Sequence, residues 1–380
     1  MQKQRCSTNR HMSIQVYNKC ITSYLRMSSV PPNQTTSFLL DALFSADAFD
    51  FWSSKVHPLW SCKKPLAQIV SKHPESEDAV TLVLKPNRHV SAFIAGQHVN
   101  VSVEIDGRQH SRSYSPRYLA NNHIAITVKR IEGGKVSTWL CNQSQRGDIV
   151  KLNPPFGEMT LKEKPSHAIF LAAGSGITPF LSLIQAHAKT GQRITLLYWV
   201  RDDASTCFAE SLTQLAQANP AFRLHLLMTQ PKDGIASDRI HLAQINALVP
   251  DLASSHWYAC GPEGFVSTAA ALAKQLSRPF LGEAFSLPEL AANPGEHVQI
   301  HLLKSRKTLS VPSGEPLLSA LENAGIQPAH GCRRGICNTC ACPKNSGTTR
   351  NILTQEEQHE AVSGLRLCIS AACSDLTLDL

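Results

Sequence analysis

Four cysteines make the sharpest chemical pattern in this sequence. Gly331-Cys332-Arg333-Arg334-Gly335-Ile336-Cys337-Asn338-Thr339-Cys340 sets three thiols at C-x4-C-x2-C, and Leu367-Cys368-Ile369-Ser370 supplies a distant fourth. A loop of that spacing can wrap a [2Fe–2S] cluster so that three thiolates converge, the last ligand coming from a later segment. Gly331 and Gly335 would let backbone amides approach the sulfides. The competing reading is a zinc knuckle or unbound thiols. Zinc sites pair short C-x2-C hooks, or Cys with His, and the x4 gap fits them poorly. Cys342 and Cys373 are then spare thiols, since Cys342, two residues past Cys340 in an extended turn, should point away. Arg333 and Arg334 place positive charge beside the cluster, which favours its more negative reduced state.

Weaker motifs lie upstream. Arg112-Ser113-Tyr114-Ser115 offers a cation, an aromatic ring and a hydroxyl, a set that suits the phosphate, the isoalloxazine and the reactive ring edge of a flavin. In Gly133-Gly134-Lys135-Val136-Ser137, small residues and a hydroxyl could bring amides to a pyrophosphate, and the alternative is a glycine hairpin turn. Gly174-Ser175-Gly176-Ile177-Thr178-Pro179 follows an apolar run. Thr178 is expected as the N-cap and Pro179 as the first helical residue, aiming amides and the helix dipole at a phosphate. The bland reading is a tight strand–helix turn. Cys260-Gly261-Pro262 ends a later strand; Cys260 is either a small buried hydrophobe or a group facing a nicotinamide. Arg201 closes another strand where an adenosine ribose should lie. An arginine there can hold a 2′-phosphate, although Asp202 and Asp203 would repel it unless they turn away, so the reading leans to NADPH over NADH.

The pattern around these motifs says what positions them. From Leu66 to about Leu161, short β segments (Ala79–Leu84, His98–Ile105, Ile124–Val128, Asp148–Leu152) alternate with turn residues, as in a small antiparallel barrel. From His167, strands at Ala168–Ala172, Ile194–Val200, Phe222–Met228 and His256–Ala259 alternate with helices such as Pro179–Lys189 and Glu263–Leu276. That is a doubly wound α/β domain, which binds ligands at the carboxyl ends of its strands. After Pro288, Pro294 and Gly295, a last stretch shows two strands, a helix near Pro316–Ala324 and the cysteine loop. The boundaries read as an extension over 1–65, a flavin-binding barrel over 66–164, a nucleotide domain over 165–284, a linker over 285–295 and an α+β domain over 296–380.

The bulk numbers agree with such a chain. Its 380 residues allow two or three domains, and 42% hydrophobic with 17% charged residues is ordinary for globular cores. A net charge of +8 is mild, and no dense basic run interleaved with aromatics points to nucleic acid. Crowding among the 12 cysteines suggests metal chemistry in a reducing compartment rather than disulfides. No apolar stretch reaches a membrane-spanning length, so a cytoplasmic protein, with at most peripheral contact at the inner membrane face, is expected. The first forty residues carry Lys3, Arg5, Arg10, Lys19 and Arg26 and no acid. They read as a tail without structure, or one that starts at Met12 or Met27, ahead of a targeting signal. Leu40, Leu43 and Phe44 have helical spacing within an apolar segment over 38–60.

Taken together, R-x-Y-S, G-x-G-I-T-P and C-G-P, in this order and spacing, resemble the ferredoxin–NADP reductase superfamily with a C-terminal plant-type ferredoxin domain of β-grasp fold. The resemblance covers about residues 66–380. It implies that Arg112, Tyr114 and Ser115 contact FAD, or FMN, with Gly134, Lys135, Val136 and Ser137 near its phosphates. It implies further that Gly174, Gly176, Thr178, Pro179 and Arg201 hold NAD(P)H, and that Cys260 and Gly261 border the nicotinamide. Glu283-Ala284-Phe285 resembles the E-x-F that lies near the flavin in relatives, so Ser115, Cys260 and Phe285 are the residues expected at the reacting rings. Pro116 stands where many members have Thr or Leu. The expected activity is NAD(P)H oxidation with single electrons leaving through the cluster to an acceptor protein. Asp47–Trp52 with His57–Trp60 is similar to bacterial reductases that serve membrane fatty-acyl desaturases, so a desaturase is the expected acceptor. An aromatic-ring or other oxygenase is the alternative, and a flavin and iron–sulfur redox sensor is a third.

Overall fold

The computed structural model describes residues 46–161, 165–187, 190–233, 236–249, 251–286 and 296–380. The basic tail and the helical spacing of Leu40, Leu43 and Phe44 lie outside the described residues. The chain divides into two compact units, 1–63 and 64–380. In the first, helix α1 (Ala46–Val56) is followed by a tight return. Asp50 closes it by accepting from Ser61 Oγ at 3.0 Å and from the Cys62 amide at 2.7 Å. Phe51, Trp52, Val56 and Trp60 are exposed.

The second unit begins with seven antiparallel strands: β1 (Leu66–Ser76), β2 (Ala79–Pro86), β3 (Val99–Ile105), β4 (Arg108–Tyr114), β5 (Pro116–Tyr118), β6 (Ile124–Lys129) and β7 (Ile149–Leu152). They hydrogen-bond in the order β4-β3-β7-β1-β2-β6-β5. The two edge strands, β4 and β5, are consecutive in the chain and separated by Ser115 alone. The sheet must therefore curl until its edges meet at that residue, which makes it the expected barrel. Alternation puts Val99, Val101 and Val103 into the barrel core with Ile69, Leu82, Leu84, Ile126 and Val150. A short helix α2 (Lys135–Thr138) runs into a π-turn over Trp139–Gln143 and plugs one end through Val136 and Leu140.

Next come β8 (His167–Ala173), α3 (Ile177–His187), β9 (Ile194–Val200), α4 (Ala209–Ala218), β10 (Phe222–Met228), α5 (Leu242–Leu248), β11 (Ser255–Gly261), α6 (Glu263–Gln275) and β12 (Phe280–Ala284). The sheet is parallel throughout, in the order β10-β9-β8-β11-β12. The chain therefore reverses direction across the sheet between β8 and β11, and the loops after those two strands flank the switch point where such sheets bind ligands. β9 is buried along its whole length, as a central parallel strand must be.

The last domain forms a mixed sheet from β13 (His297–Leu302), β14 (Lys307–Pro312), β15 (Ala341–Ser346), β18 (Val362–Arg366) and β20 (Leu376–Leu378), ordered β14-β13-β20-β15-β18. A second small sheet joins β16 (Thr349–Asn351), β17 (Glu357–Gln358) and β19 (Ser370–Ala372). Helix α7 (Leu317–Asn323) buries Leu317, Leu318 and Leu321 against these strands, the grasp arrangement expected. The cysteine loop spans the gap between α7 and β15.

Candidate functional site

The cysteine loop is folded around its own sulfurs. Cys332 Sγ accepts from the amides of Arg334, Ile336 and Cys337 at 3.3, 3.4 and 3.3 Å. Cys337 Sγ accepts from the Cys332 amide and Cys368 Sγ from the Gly335 amide, both at 3.2 Å. Hydrogen bonds from the thiols of Cys337 and Cys368, then these amides, hold Cys332 far below the usual thiol range, while the same thiol contacts push Cys368 far up. Cys340 closes the ring by bonding to Cys368. Convergent sulfurs ringed by amide donors suit a thiolate-bound cluster, whose negative charge those donors stabilise. Among the described residues no group of three or more His, Cys, Asp or Glu side chains is arranged to hold a metal ion, so the donor set and spacing carry the fit. Three left-handed residues shape the loop, Arg333 (φ 57°), Gly335 (φ 75°) and Asn338 (φ 56°). A Cβ on Gly335 would come within 2.4 Å of Ile369.

The two spare thiols lie elsewhere. Cys342 is buried in the ferredoxin-domain core on β15, where burial pushes its thiol up to about 11. Cys373 is half-buried beyond β19. The expectation that both loop arginines charge the cluster needs correction. Arg333 is paired with Glu322 of α7 and bonds His330 Nε2 at 3.0 Å, so its charge is largely met by its neighbours. Arg334 forms no ion pair with a carboxylate among the described residues. Its guanidinium instead lies 5.1 Å from the Phe285 ring centroid and donates to the Ala284 carbonyl at 3.4 Å.

Arg112, Tyr114 and Ser115 sit on β4 and at the barrel seam, as read. Tyr114 is held protonated by burial, and Arg112 is weakened as a cation first by burial and then by the nearby Arg333. On β3, Asn100 accepts from Ser113 Oγ at 2.6 Å. Its amide nitrogen lies 2.5 Å from where a Cβ would stand on Gly331. The cluster loop thus packs directly on the strand pair that carries the R-x-Y-S residues. In the second motif, Val136 is a core residue, and Ser137 Oγ closes its own turn, accepting from Ile131 and donating to the Gly134 carbonyl, both at 3.2 Å. Lys135 at the start of α2 leaves a cation and first-turn amides there.

At the nucleotide edge the structure corrects the helix start. A 3-10 turn over Gly174–Gly176 runs straight into α3 at Ile177, so Thr178 and Pro179 lie inside the first turn. Thr178 Oγ1 donates to the Ser175 carbonyl at 3.0 Å instead of accepting an amide as an N-cap. Pro179 is tolerated because first-turn amides have no intrahelical partner. Gly176 abuts β11: a Cβ there would stand 1.9 Å from the Cys260 carbonyl oxygen. Cys260 is fully buried, and burial, reinforced by Glu283, pushes its thiol well above the ordinary range, so it is a neutral group. Arg201 follows β9, largely exposed, and donates to Asp202 at 3.2 Å. Asp202 is held by Ser205 in a capping box yet still pairs with Arg201, so the expectation that the aspartates turn away from this arginine fails at Asp202.

Where the edges meet, Glu283 of the E-x-F segment has a partner that the sequence reading missed. His98 Nε2 lies 3.2 Å from Glu283 Oε2, both buried. Burial, then Arg334, push His98 down to about 3. Burial pushes Glu283 up to about 7, with Arg334 working against it. Both His98 ring nitrogens and this Glu283 oxygen lack an aligned hydrogen-bond partner among the described residues. Orphaned buried polar atoms at a junction of the R-x-Y-S, C-G-P and E-x-F segments fit a polar ring edge brought by a ligand. The available signal was the polar face His98, Asn100 and Ser102 alternating with the valines of β3.

Known proteins match these three regions in the same order. Residues 66–161 match an oxidoreductase FAD-binding domain, 170–271 an oxidoreductase NAD-binding domain and 300–373 a 2Fe-2S iron-sulfur cluster binding domain. An "NADPH oxidoreductase" of Mycobacterium tuberculosis is 32% identical over 337 residues, spanning 85% of this chain and 86% of its own. The "phenoxybenzoate dioxygenase subunit beta" of Ectopseudomonas oleovorans is 30% identical over 304 residues, spanning 77% and 89%. Among solved structures, phthalate dioxygenase reductase shares the fold with a TM-score of 0.60 at 24% identity, covering 83% of this chain and 97% of that one. The chain therefore belongs to the ferredoxin–NADP reductase superfamily, as an oxidoreductase that uses FAD, NAD(P)H and a [2Fe–2S] cluster carried in a C-terminal plant-type ferredoxin domain.

Proposed function

We propose that this protein is the reductase component of an oxygenase system, taking electrons from NADPH and passing them singly to a separate oxygenase protein. The observation that carries the reading is the packing of the cluster loop, through Gly331, on Asn100 beside the R-x-Y-S strand, and, through Arg334, on Phe285. Three sites that share one edge can hand on electrons over short distances. The names of relatives support the acceptor: besides the dioxygenase subunit, a glycine betaine monooxygenase reductase subunit of Pseudomonas aeruginosa is 25% identical over 355 residues, spanning 84% of this chain and 96% of its own.

When bound, FAD accepts an electron pair from NAD(P)H and releases it one electron at a time, and the cluster carries single electrons. Arg112, Tyr114 and Ser115 hold the flavin at the barrel seam, with Gly134, Lys135, Val136 and Ser137 presenting amides and one cation to its phosphates. Gly174, Gly176, Thr178 and Pro179 form the nucleotide's phosphate cradle, and Gly176 has no side chain because Cys260 stands against it. Arg201 takes the 2′-phosphate, which sets the preference for NADPH. Cys260 and Gly261 border the nicotinamide, and the neutral Cys260 thiol offers a packing surface without charge. Phe285 and Ser115 close on the reacting rings and exclude water. Cys332, Cys337, Cys340 and Cys368 ligate the cluster.

A second reading keeps a membrane fatty-acyl desaturase as acceptor. Its support is the exposed aromatic group Phe51, Trp52 and Trp60 in the first unit, since such rings favour a membrane interface. Affinity capture on the reduced protein, followed by reconstitution, decides between them. The oxygenase reading expects a captured oxygenase whose substrate turnover requires NADPH and this protein. If turnover is instead supported only in membranes containing a desaturase, and is lost on deleting residues 1–64, the second reading replaces it.

A further inference from the structure

Arg334 touches both ends of the electron path. Its backbone amide donates to Cys332 Sγ at 3.3 Å, so it is fixed to the cluster loop. Its guanidinium lies against Phe285 and reaches the Ala284 carbonyl. Ala284 ends β12 and Phe285 follows it directly; β12 pairs with β11 so that Ala284 stands opposite Gly261. The Phe285 amide donates to the Gly261 carbonyl at 2.8 Å. Any ring that enters beside Cys260 and Gly261 must therefore meet Phe285, and displacing Phe285 removes the surface on which Arg334 rests. Arg334 has somewhere to go. A cavity of about 450 Å³ lies beside it, lined by Glu283, Ala284, Gly335, Ile336 and Arg366 among others.

We propose that Arg334 couples occupation of the nicotinamide site to the electron affinity of the cluster. A nucleotide that shifts Phe285 releases the guanidinium from the ring, so a positive charge next to Cys332 changes position with the nucleotide. Because Arg333 is already paired with Glu322, Arg334 is the loop cation free to respond. By linkage the effect is reciprocal: adding one electron to the cluster, supplied by NADPH through the flavin, must alter the affinity for NADP⁺ by the same factor. The inference rests on the reading above that Cys332 binds the cluster and that the nicotinamide lies beside Cys260.

The test is a redox titration of the holoprotein's cluster, followed by electron paramagnetic resonance, with and without saturating NADP⁺. Wild type should show a midpoint shift matching at least a fivefold change in NADP⁺ affinity, about 40 mV at 59 mV per tenfold for one electron. Arg334→Ala should abolish the shift. If that variant fails to assemble its cluster, Phe285→Leu serves instead, because it removes the ring without touching the loop and should also abolish the shift. A wild-type shift that persists in these variants means the nucleotide's own charge acts directly, and the proposal fails; no shift in wild type also overturns it. A holoprotein without a cluster signal or without NADP⁺ binding would overturn the underlying reading, and the coupling with it.

Discussion

Thiols that look alike in sequence are separated by their surroundings. Cys332, Cys337, Cys340 and Cys368 meet one another and a set of amides, whereas Cys342, only two residues past Cys340, turns into the core. Replacing any of the first four by Ser should abolish the cluster's visible absorption and labile sulfide while FAD stays bound, and Cys342→Ser should keep both. Loss of the cluster in Cys342→Ser would show that the ligand set is misassigned. The His98–Glu283 pair gives a pH signature. The folded chain holds the Glu283 proton up to about pH 7, whereas an unfolded glutamate releases it near pH 4.3. More protons are then bound in the folded state across that window, so this group's contribution to stability is lost as pH rises through it. His98 acts in the opposite sense: it titrates at about 3 when folded and near 6.5 when unfolded, so its contribution is lost as pH falls. Glu283→Gln removes only the first slope. Its unfolding free energy relative to wild type, from melts at each pH, should rise between about pH 5 and pH 8, by an amount on the order of 3 kcal/mol at most. A difference that does not change with pH would show that Glu283 titrates normally. The motif residues of the site were legible because their types are tied to a chemistry. His98 and Asn100 were not, because a polar residue on a strand declares its partner only once the sheet has curled and the cluster loop has packed on it.

Elements were legible where their periodicity was strong. β9 and β10 match the expected Ile194–Val200 and Phe222–Met228 because large apolar and β-branched residues dominate both, broken only by Arg223 and His225 in β10. β1 escaped the reading. Its first half alternates, but Pro74 and a polar run occupy the second, and the strand shifts register at Pro74 and Ser76. β12 escaped because Gly282 interrupts it; a Cβ there would stand 2.7 Å from both the Phe280 ring and Val266. The Thr178–Pro179 cap was misread because nothing local distinguishes a helix that starts cleanly from one that grows out of a 3-10 turn. The close approach of that turn to β11 makes a test of the nucleotide edge. Gly176→Ala would drive a Cβ into the Cys260 backbone and should cost about 1–3 kcal/mol or more, with loss of NADP⁺ binding. Gly264→Ala, in α6 with open space around it, should be neutral or stabilise by up to about 1 kcal/mol. Thermal melts and nucleotide titrations of both variants check the contrast, and equal behaviour would mean that Gly176 is not sterically required.

For the whole molecule, the relation among domains decides the function, and it is the part least visible in sequence. Motif order gave three cofactor sites along one chain. That the cluster loop packs on both the flavin strand pair and the end of β12 follows only from the structure. The consequence is one exit for a protein acceptor: electrons from NAD(P)H bound for such a partner should leave through the cluster, while a small acceptor such as ferricyanide can still be served by the flavin. Among the described residues no helix is long and apolar enough to cross a membrane. The most direct test follows anaerobic mixing with NADPH by rapid-freeze paramagnetic resonance, alongside steady-state reduction of ferricyanide and of cytochrome c. The account predicts flavin bleaching followed by a reduced [2Fe–2S] signal. It also predicts that Cys337→Ser keeps ferricyanide reduction, served by the flavin, and loses reduction of cytochrome c. A cluster that stays oxidised under NADPH, or a cluster-free variant that reduces cytochrome c at the wild-type rate, would contradict it.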